Sequence, residues 1–436
     1  MKKRFVSAAV LVLACMLLAV PVMAGGQNDK GSATGDGPIV LRFYFPVGVA
    51  GPLATYMGEM AAEFTKAHPN IIVEPIYSGG YIETIQRALT SSKAGNPPDV
   101  ALLTAADIWT GVDEKIILPL GPFIKQEGGD AFLSRYFEAF LDDCDVAGEY
   151  YALPFQKSTP IFYYNKDMFR EAGLDPNKPP ATWTEMKDMA QKLVQKERGE
   201  TTRWGVEIPI DQWLLSCFIF QNGGQINNPE GTKTFLNSSE AIGALEFLQS
   251  LSAEGLMPAR RLFGDSSADF VAGKTAMMYN STGSMAFVKE SATFDWGVAF
   301  LPENKKRIVA TGGGQLVIMS GIPEARQKAA WEFLKWMTEP EQAAYWSMKT
   351  GYVAVNKGAF DVPEMKQYVE GFPYSIAARD QLQYAVGEPP STHNARQISR
   401  FMTDAIEGAL AGRVTPAAAL NSAQAEAEKV LQAYNK

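Results

Sequence analysis

The stretch Tyr151–Asp167, reading YALPFQKSTPIFYYNKD, places Gln156, Lys157, Ser158 and Thr159 inside an otherwise apolar and aromatic run. Amide, ammonium and hydroxyl groups at successive positions of a buried strand can hydrogen-bond a polar solute, or satisfy one another within a core. The segment alone allows both. Covalent chemistry finds little support elsewhere. The chain has two histidines, His68 and His393, and neither accompanies a GxSxG nucleophile elbow. Ala272-Gly273-Lys274-Thr275 resembles the end of a phosphate-cradling loop, but that loop needs glycine where Ala268 stands. Gly312-Gly313-Gly314 lacks the GxGxxG spacing and precedes an apolar strand, so it reads as a close-approach turn.

Asp142, Asp143 and Asp145 cluster, and a solvated acidic loop explains them better than a calcium site. Cys144 and Cys217 lie far apart with no CxxC spacing, so buried free thiols are the default and a single disulfide stays open. No metal or cofactor is expected. A carboxylate pair suited to glycoside hydrolysis is not excluded among so many acids, which keeps a secreted carbohydrate-active enzyme as an alternative.

The N-terminus carries an address. Lys2, Lys3 and Arg4 precede an apolar Phe5–Val20 segment, and Val22-Met23-Ala24 offers small residues for cleavage, so residues 1–24 read as a signal peptide. A rival cut before Cys15 would leave a lipid anchor, at the cost of an apolar segment directly after it. Residues 25–37 are rich in Gly, Ser, Asp and Lys and read as a disordered leader. No later segment reaches the length of a bilayer span. Net charge is -8 and becomes more acidic once Lys2, Lys3 and Arg4 leave with the signal peptide, which argues against nucleic acid as a partner.

From Ile39 onward, strands alternate with amphipathic helices: Ile39–Phe45, a helix striped by Leu53, Met57, Met60, Ala61 and Phe64, Ile71–Tyr77, a helix over Ile82–Ser92, and Asp99–Leu103. This βαβαβ pattern predicts an α/β protein with a largely parallel sheet and ligand loops beyond the strand C-termini. Thr182 opens a helix with Glu185 three residues on; Met186–Leu256 reads as mainly helical. Ala330, Phe333, Leu334 and Met337 stripe a later helix, as do Ile398, Met402, Ala405, Ile406 and Ala409. Thr415-Pro416 opens the last one.

PFQKSTPIFYYNKDMFREAGLDPNKPPATW at 154–183, FVAGKTAMM at 270–278 and TGYVAVNK at 350–357 resemble the family 1 extracellular solute-binding proteins of ABC importers. Within that family the glycerol 3-phosphate-binding and carbohydrate-binding members are the more similar, and maltose-binding protein more distant. The resemblance implies a two-lobe periplasmic binding protein fold (class II, Venus flytrap) with interlobe hinge strands. The first lobe is expected over 38–154 plus 294–338 and the second over 160–288 plus 344–436, with hinges near 155–159 and 292–300. It implies a periplasmic, monomeric, non-enzymatic protein that captures a carbohydrate or polyol and delivers it to ABC permease transmembrane subunits. A ligand sensor feeding a membrane receptor would share the fold.

Carried over by the same resemblance, contact positions fall on Tyr81, Ser158, Ser281, Gly313 and Tyr352. Two departures concern phosphate: the acid expected after the third strand is replaced by Ala105, with Asp107 two residues on, and the arginine expected in the late helix by Ser399, between Arg396 and Arg400. An inward Arg396 or Arg400 favours a phosphorylated solute, and neither inward favours a neutral saccharide. Trp109 and Trp213 are candidate stacking surfaces, with buried core as the alternative for both.

Overall fold

A computed structural model describes residues 37–49 and 51–435. The expected signal peptide, Cys15 and positions 25–36 of the leader lie outside those residues. The chain runs β1 (Ile39–Phe45), α1 (Leu53–Ala67), β2 (Ile71–Tyr77), α2 (Tyr81–Lys93), β3 (Val100–Leu103) and α3 (Ala105–Asp113). It continues through β4 (Leu153–Ser158), β5 (Pro160–Asn165), α4 (Trp183–Leu193), α5 (Gln212–Gln221), α6 (Ser239–Ala253) and α7 (Phe263–Val271). The larger elements end with β6 (Met277–Ser281), β7 (Trp296–Ala299), β8 (Gly312–Ile318), α8 (Glu324–Met337), α9 (Pro340–Thr350), α10 (Ala395–Leu410) and α11 (Pro416–Leu431), joined by shorter turns and strands. Among the described residues, no helix is long and apolar enough to cross a membrane.

The opening βαβαβ forms as its periodicity predicts. α1 buries Leu53, Met57, Met60, Ala61 and Phe64, and stops where the His68 N–H turns back to the Phe64 carbonyl ahead of Pro69. β1 pairs in parallel with β2 and β3. Both faces of the resulting sheet are covered: Val100 and Leu102 enter one core with Phe43, Phe64 and Phe333, while Ala101 and Leu103 enter another with Ile85, Ile108 and Ile117. That two-residue alternation lets one short strand serve two cores.

The sheet, ordered β2-β1-β3-β8-β4, is mixed rather than largely parallel. β8 runs antiparallel to both β3 and β4. It follows residues 296–299, which pair in a different sheet, so no helical crossover from β3 or β4 obliges it to run with its neighbours. A second sheet, β6-β5-β7, is antiparallel throughout. Residues 296–299 join it through pairing with β5. Its other core gathers Phe162, Tyr164, Trp183, Phe218, Leu245 and Ile406.

The expected single strand over 155–164 is two strands in two sheets. Only Thr159 separates β4 from β5, so the chain passes from one sheet to the other within one residue. Lys157 and Asp143, the latter expected in a solvated loop, form a fully buried ion pair at 2.5 Å. Met186–Leu256 is less helical than its composition suggests, because strands Gln195–Glu197 and Glu200–Arg203 make a hairpin. Cys144 and Cys217 are free and buried.

The triple glycine is strand and not turn. Gly312, Gly313 and Gly314 pair with Ser158, Lys157 and Gln156, and the register shifts immediately after them. Gly313 has φ +98°, and a Cβ there would lie 1.9 Å from the Gln156 carbonyl oxygen. Backbone cannot retreat as a flexible side chain can. Gly313→Ala is expected to destabilise the fold by roughly 2 kcal/mol or more, read as a lowered midpoint in urea denaturation.

Glu207 is buried beneath the second sheet with neither carboxylate oxygen hydrogen-bonded, and Arg261 stands 3.8 Å away. Burial, aided by Asp269, pushes its carboxyl up to about 8. The folded state therefore holds this proton more tightly than the unfolded chain. The stabilisation is complete below the ordinary glutamate range and is lost as pH rises through about 8. Glu207→Gln is expected to flatten the decline in stability between pH 5 and pH 8 by on the order of a few kcal/mol, which urea titrations at both pH values would measure.

Candidate functional site

The cleft is built from element ends. Tyr81 is the first residue of α2, following Gly80, and that helix has no side-chain cap. Thr104 caps α3 in a reciprocal box with Asp107. Asp211 caps α5 by accepting from the Trp213 N–H at 2.7 Å, and Arg396 is the second residue of α10. Ser158 ends β4, Ser281 ends β6, Gly313 lies in β8, and Tyr352 follows the left-handed Gly351 that terminates α9.

These positions meet. Tyr81, Ser158, Ser281, Gly313, Tyr352, Trp213 and Arg396 all line one cleft of about 510 Å³. Gln156 ties its walls together: its side-chain nitrogen donates to the Tyr81 hydroxyl at 2.7 Å and to the Tyr352 hydroxyl at 3.3 Å. Burial holds the Tyr81 phenol well above its ordinary range and pushes Tyr352 to about 12. Both rings therefore remain uncharged, with hydroxyl tips able to donate and accept. The Trp213 indole N–H donates to the Thr311 carbonyl at 2.7 Å, and its ring passes so close to Gly312 that a Cβ there would sit 2.6 Å away. Glycine lets the indole lie against the strand.

Arg396 carries the positive charge in the cleft. Its Nε donates to Asp107 Oδ1 at 2.9 Å, and its terminal nitrogen donates to that same oxygen and, at 3.0 Å, to Thr104 Oγ1. Burial works against the guanidinium charge, and Asp107 outweighs it, so the group is held above its usual range. Asp107 thus stands behind Arg396 instead of lining the cleft. Arg400 lies outside: its side chain is 80% exposed, 3.8 Å from Asp404. Trp109 is packed away from the cleft, edge-on to His393.

Sequence reasoning missed several groups. Gln156 lay in the polar patch without an assigned role. Asp211 precedes an apolar helix, the ordinary signature of an N-cap, and burial raises its carboxyl to about 6. Glu388, in Gly387-Glu388-Pro389-Pro390, sits in no periodic pattern, yet it lines the cleft. Among the described residues no group of three or more His, Cys, Asp or Glu side chains could hold a metal ion.

The model of the bacterial extracellular solute-binding proteins matches residues 59–373. The chain belongs to that family. Among curated relatives, the sn-glycerol-3-phosphate-binding periplasmic protein UgpB of Pectobacterium atrosepticum is 28% identical over 408 residues, covering 88% of this chain and 90% of the relative. The Escherichia coli protein of that name is 27% identical, covering 92% and 95%. Among solved structures, UgpB from Mycobacterium tuberculosis in complex with glycerophosphocholine superposes with a TM-score of 0.80 at 25% identity, covering 92% of this chain and all of that one. An ABC substrate-binding protein of Listeria monocytogenes in complex with cycloalternan shares the fold, with a TM-score of 0.79 at 23% identity, covering 91% and 99%. This solute-binding protein has the two-lobe fold of periplasmic binding proteins, and it serves an ABC importer as the component that captures solute.

Proposed function

We propose that the solute is a small phosphorylated polyol, a glycerol phosphate or a glycerophosphodiester, held between the lobes by Arg396, Tyr81, Tyr352, Ser158 and Ser281, with Trp213 and Gly313 completing the wall. The observation that carries this is the fixed guanidinium of Arg396, positioned by Asp107 and Thr104, with its other terminal nitrogen having no hydrogen-bond partner among the described residues. Phosphate favours such a planar, preorganised donor. The uncapped first turn of α2, whose Gly80, Tyr81 and Ile82 line the cleft, adds backbone N–H groups and the positive end of a helix dipole. The relatives named for sn-glycerol 3-phosphate and the complex with glycerophosphocholine support the same class.

A second reading, an uncharged saccharide, draws on the aromatic faces of Tyr81, Tyr352 and Trp213. In either case the protein binds without turnover, as a monomer exported to the periplasm, and hands its solute to permease transmembrane subunits. The lobes are proposed to meet near residues 155–159 and around 300–311, so that the second hinge follows β7. Thermal shift with glycerol 3-phosphate, glycerophosphodiesters and saccharides separates the two. Saturation at a hundredfold excess over Kd should stabilise the protein by about 2.7 kcal/mol with no product formed. A shift with saccharides alone would transfer the assignment to the second reading, and product formation would make the chain an enzyme.

A further inference from the structure

Glu388 is the buried cleft-lining acid whose role the fold does not explain; Asp211 caps a helix, and Glu83, in the first turn of α2, is exposed. Glu388 is only 8% exposed, yet its Oε2 has no hydrogen-bond partner among the described residues. Its backbone N–H donates to Asp143 Oδ1 at 2.5 Å, which anchors the main chain and leaves the carboxyl free. Asp143 in turn accepts from Lys157 and Thr311 through its other oxygen, so the nearby ammonium is already committed. An unpartnered carboxyl at the wall of a solute cleft costs stability unless something arrives to meet it.

We infer that Glu388 is a specificity-determining contact that works in its neutral form, its carboxyl O–H donating to an acceptor oxygen of a phosphorylated solute, and that its ionised form rejects that solute. This rests on the phosphorylated-polyol reading above. Two features support it. Burial, opposed by Lys157 and reinforced by Asp143, holds the carboxyl at about 8, so the proton is present at neutral pH. The position is also right: the groups that act on Glu388 include Arg396 on α10 and Asp107 on α3, and Glu388 in turn acts on Tyr81 at the start of α2. The charged groups that act on it most strongly are Lys157 from β4, Asp143 from the short turn before the 145–150 hairpin, Arg396 and Asp107, and Asp142 packs against the adjacent Gly387. Asp211, at the start of α5, acts on Arg396 across the same cleft. A neutral carboxyl beside Arg396 leaves the guanidinium's attraction for phosphate intact, whereas a carboxylate there would oppose it.

The sign follows. A solute that binds only the protonated protein loses affinity as pH rises through the free carboxyl's midpoint. With the carboxyl held well above the ordinary glutamate range by burial, the Kd rises by on the order of tenfold or more between pH 7 and pH 9.5. Glycerophosphoglycerol suits the test, because its single diester charge does not change over that range and it carries no amine. Calorimetric titration of the protein at pH 7 and 9.5 should show that rise, and Glu388→Gln, which cannot ionise, should bring the ratio of the two Kd values close to one. A second variant, Glu388→Ala, separates packing from ionisation: its ratio should also be flat, but its Kd at pH 7 should exceed that of Glu388→Gln, because the amide retains a donor. A wild-type Kd that does not change with pH, or a rise that persists in Glu388→Gln, would overturn the role of Glu388 alone. Absence of any binding of glycerophosphoglycerol and glycerol 3-phosphate to the wild type would overturn the underlying reading as well.

Discussion

Arg396→Ala is expected to lower affinity for glycerol 3-phosphate by roughly two to three orders of magnitude, while Arg400→Ala leaves it within about twofold. The difference comes from placement. Arg396 is gripped by Asp107 and Thr104 at the cleft wall, so its free N–H groups are aimed without the entropy cost of ordering a long side chain. Arg400, one helical turn on, projects to solvent beside Asp404 and forms no part of the wall. Asp107→Asn should fall between the two, because it leaves the guanidinium in place but loosens the grip. Calorimetric titration of the three variants reads all of this directly. Equal losses at Arg396 and Arg400 would point to a diffuse surface field rather than a positioned contact.

The second large effect concerns the fold beneath the cleft. Lys157→Met is expected to destabilise the protein by about 3–5 kcal/mol, because it leaves Asp143 charged and buried without its cation. Asp143 holds three segments at once: Lys157 of β4 at 2.5 Å, Thr311 just before β8 at 2.6 Å, and the Glu388 main chain at 2.5 Å. The Gln315 amide, oriented with its oxygen toward Lys157 at 3.0 Å and its nitrogen donating to the Leu103 carbonyl at 2.6 Å, completes the ammonium's shell. Lys157→Met combined with Asp143→Leu should recover most of the loss, since removing both charges also removes their desolvation cost. Chemical denaturation of the single and double variants gives the coupling. Independent, additive losses would show that the pair does not act as a unit.

Both predictions concern a shared geometry. Asp107 belongs to α3 beside the five-stranded sheet, and Arg396 to α10, most of which packs in the second core. Their ion pair therefore joins two separate elements at the cleft wall, and the Tyr81–Gln156–Tyr352 hydrogen bonds join further ones. A solute that adds contacts to both walls shifts the balance between open and closed forms by the difference in its affinity for them, and moving from about 1% to 99% closed requires roughly 5.5 kcal/mol. Two charge-assisted bonds to phosphate together with ring contacts are of that order.

How much of this was legible in the chain depended on whether a feature was local. The stripe of α1 and the cap at Thr182 are short-range patterns, and both appear as expected: Thr182 Oγ1 accepts from the Glu185 N–H at 3.2 Å, although the Glu185 carboxylate turns to Ala181. The direction of β8 was not local, since it depends on which sheet the chain returns from, and so the sheet is mixed. The burial of Asp143 was invisible for the same reason, because Lys157, Thr311 and the Glu388 main chain are distant in sequence and only the fold brings them to it. In the cleft, Tyr81, Ser158, Ser281, Gly313 and Tyr352 come together, and of the two arginines flanking Ser399 it is Arg396 that lines the wall, with Asp107 behind it. Glu388 carried no signal at all, since a single acid before two prolines looks like an ordinary loop.

The most direct test is calorimetric titration of the protein with glycerol 3-phosphate, glycerophosphoglycerol and maltose under identical conditions at pH 7. Saturable binding of one molecule per chain for the phosphorylated solutes, with maltose giving none, is the predicted result. Saturation with maltose and no heat from either phosphorylated compound would contradict it.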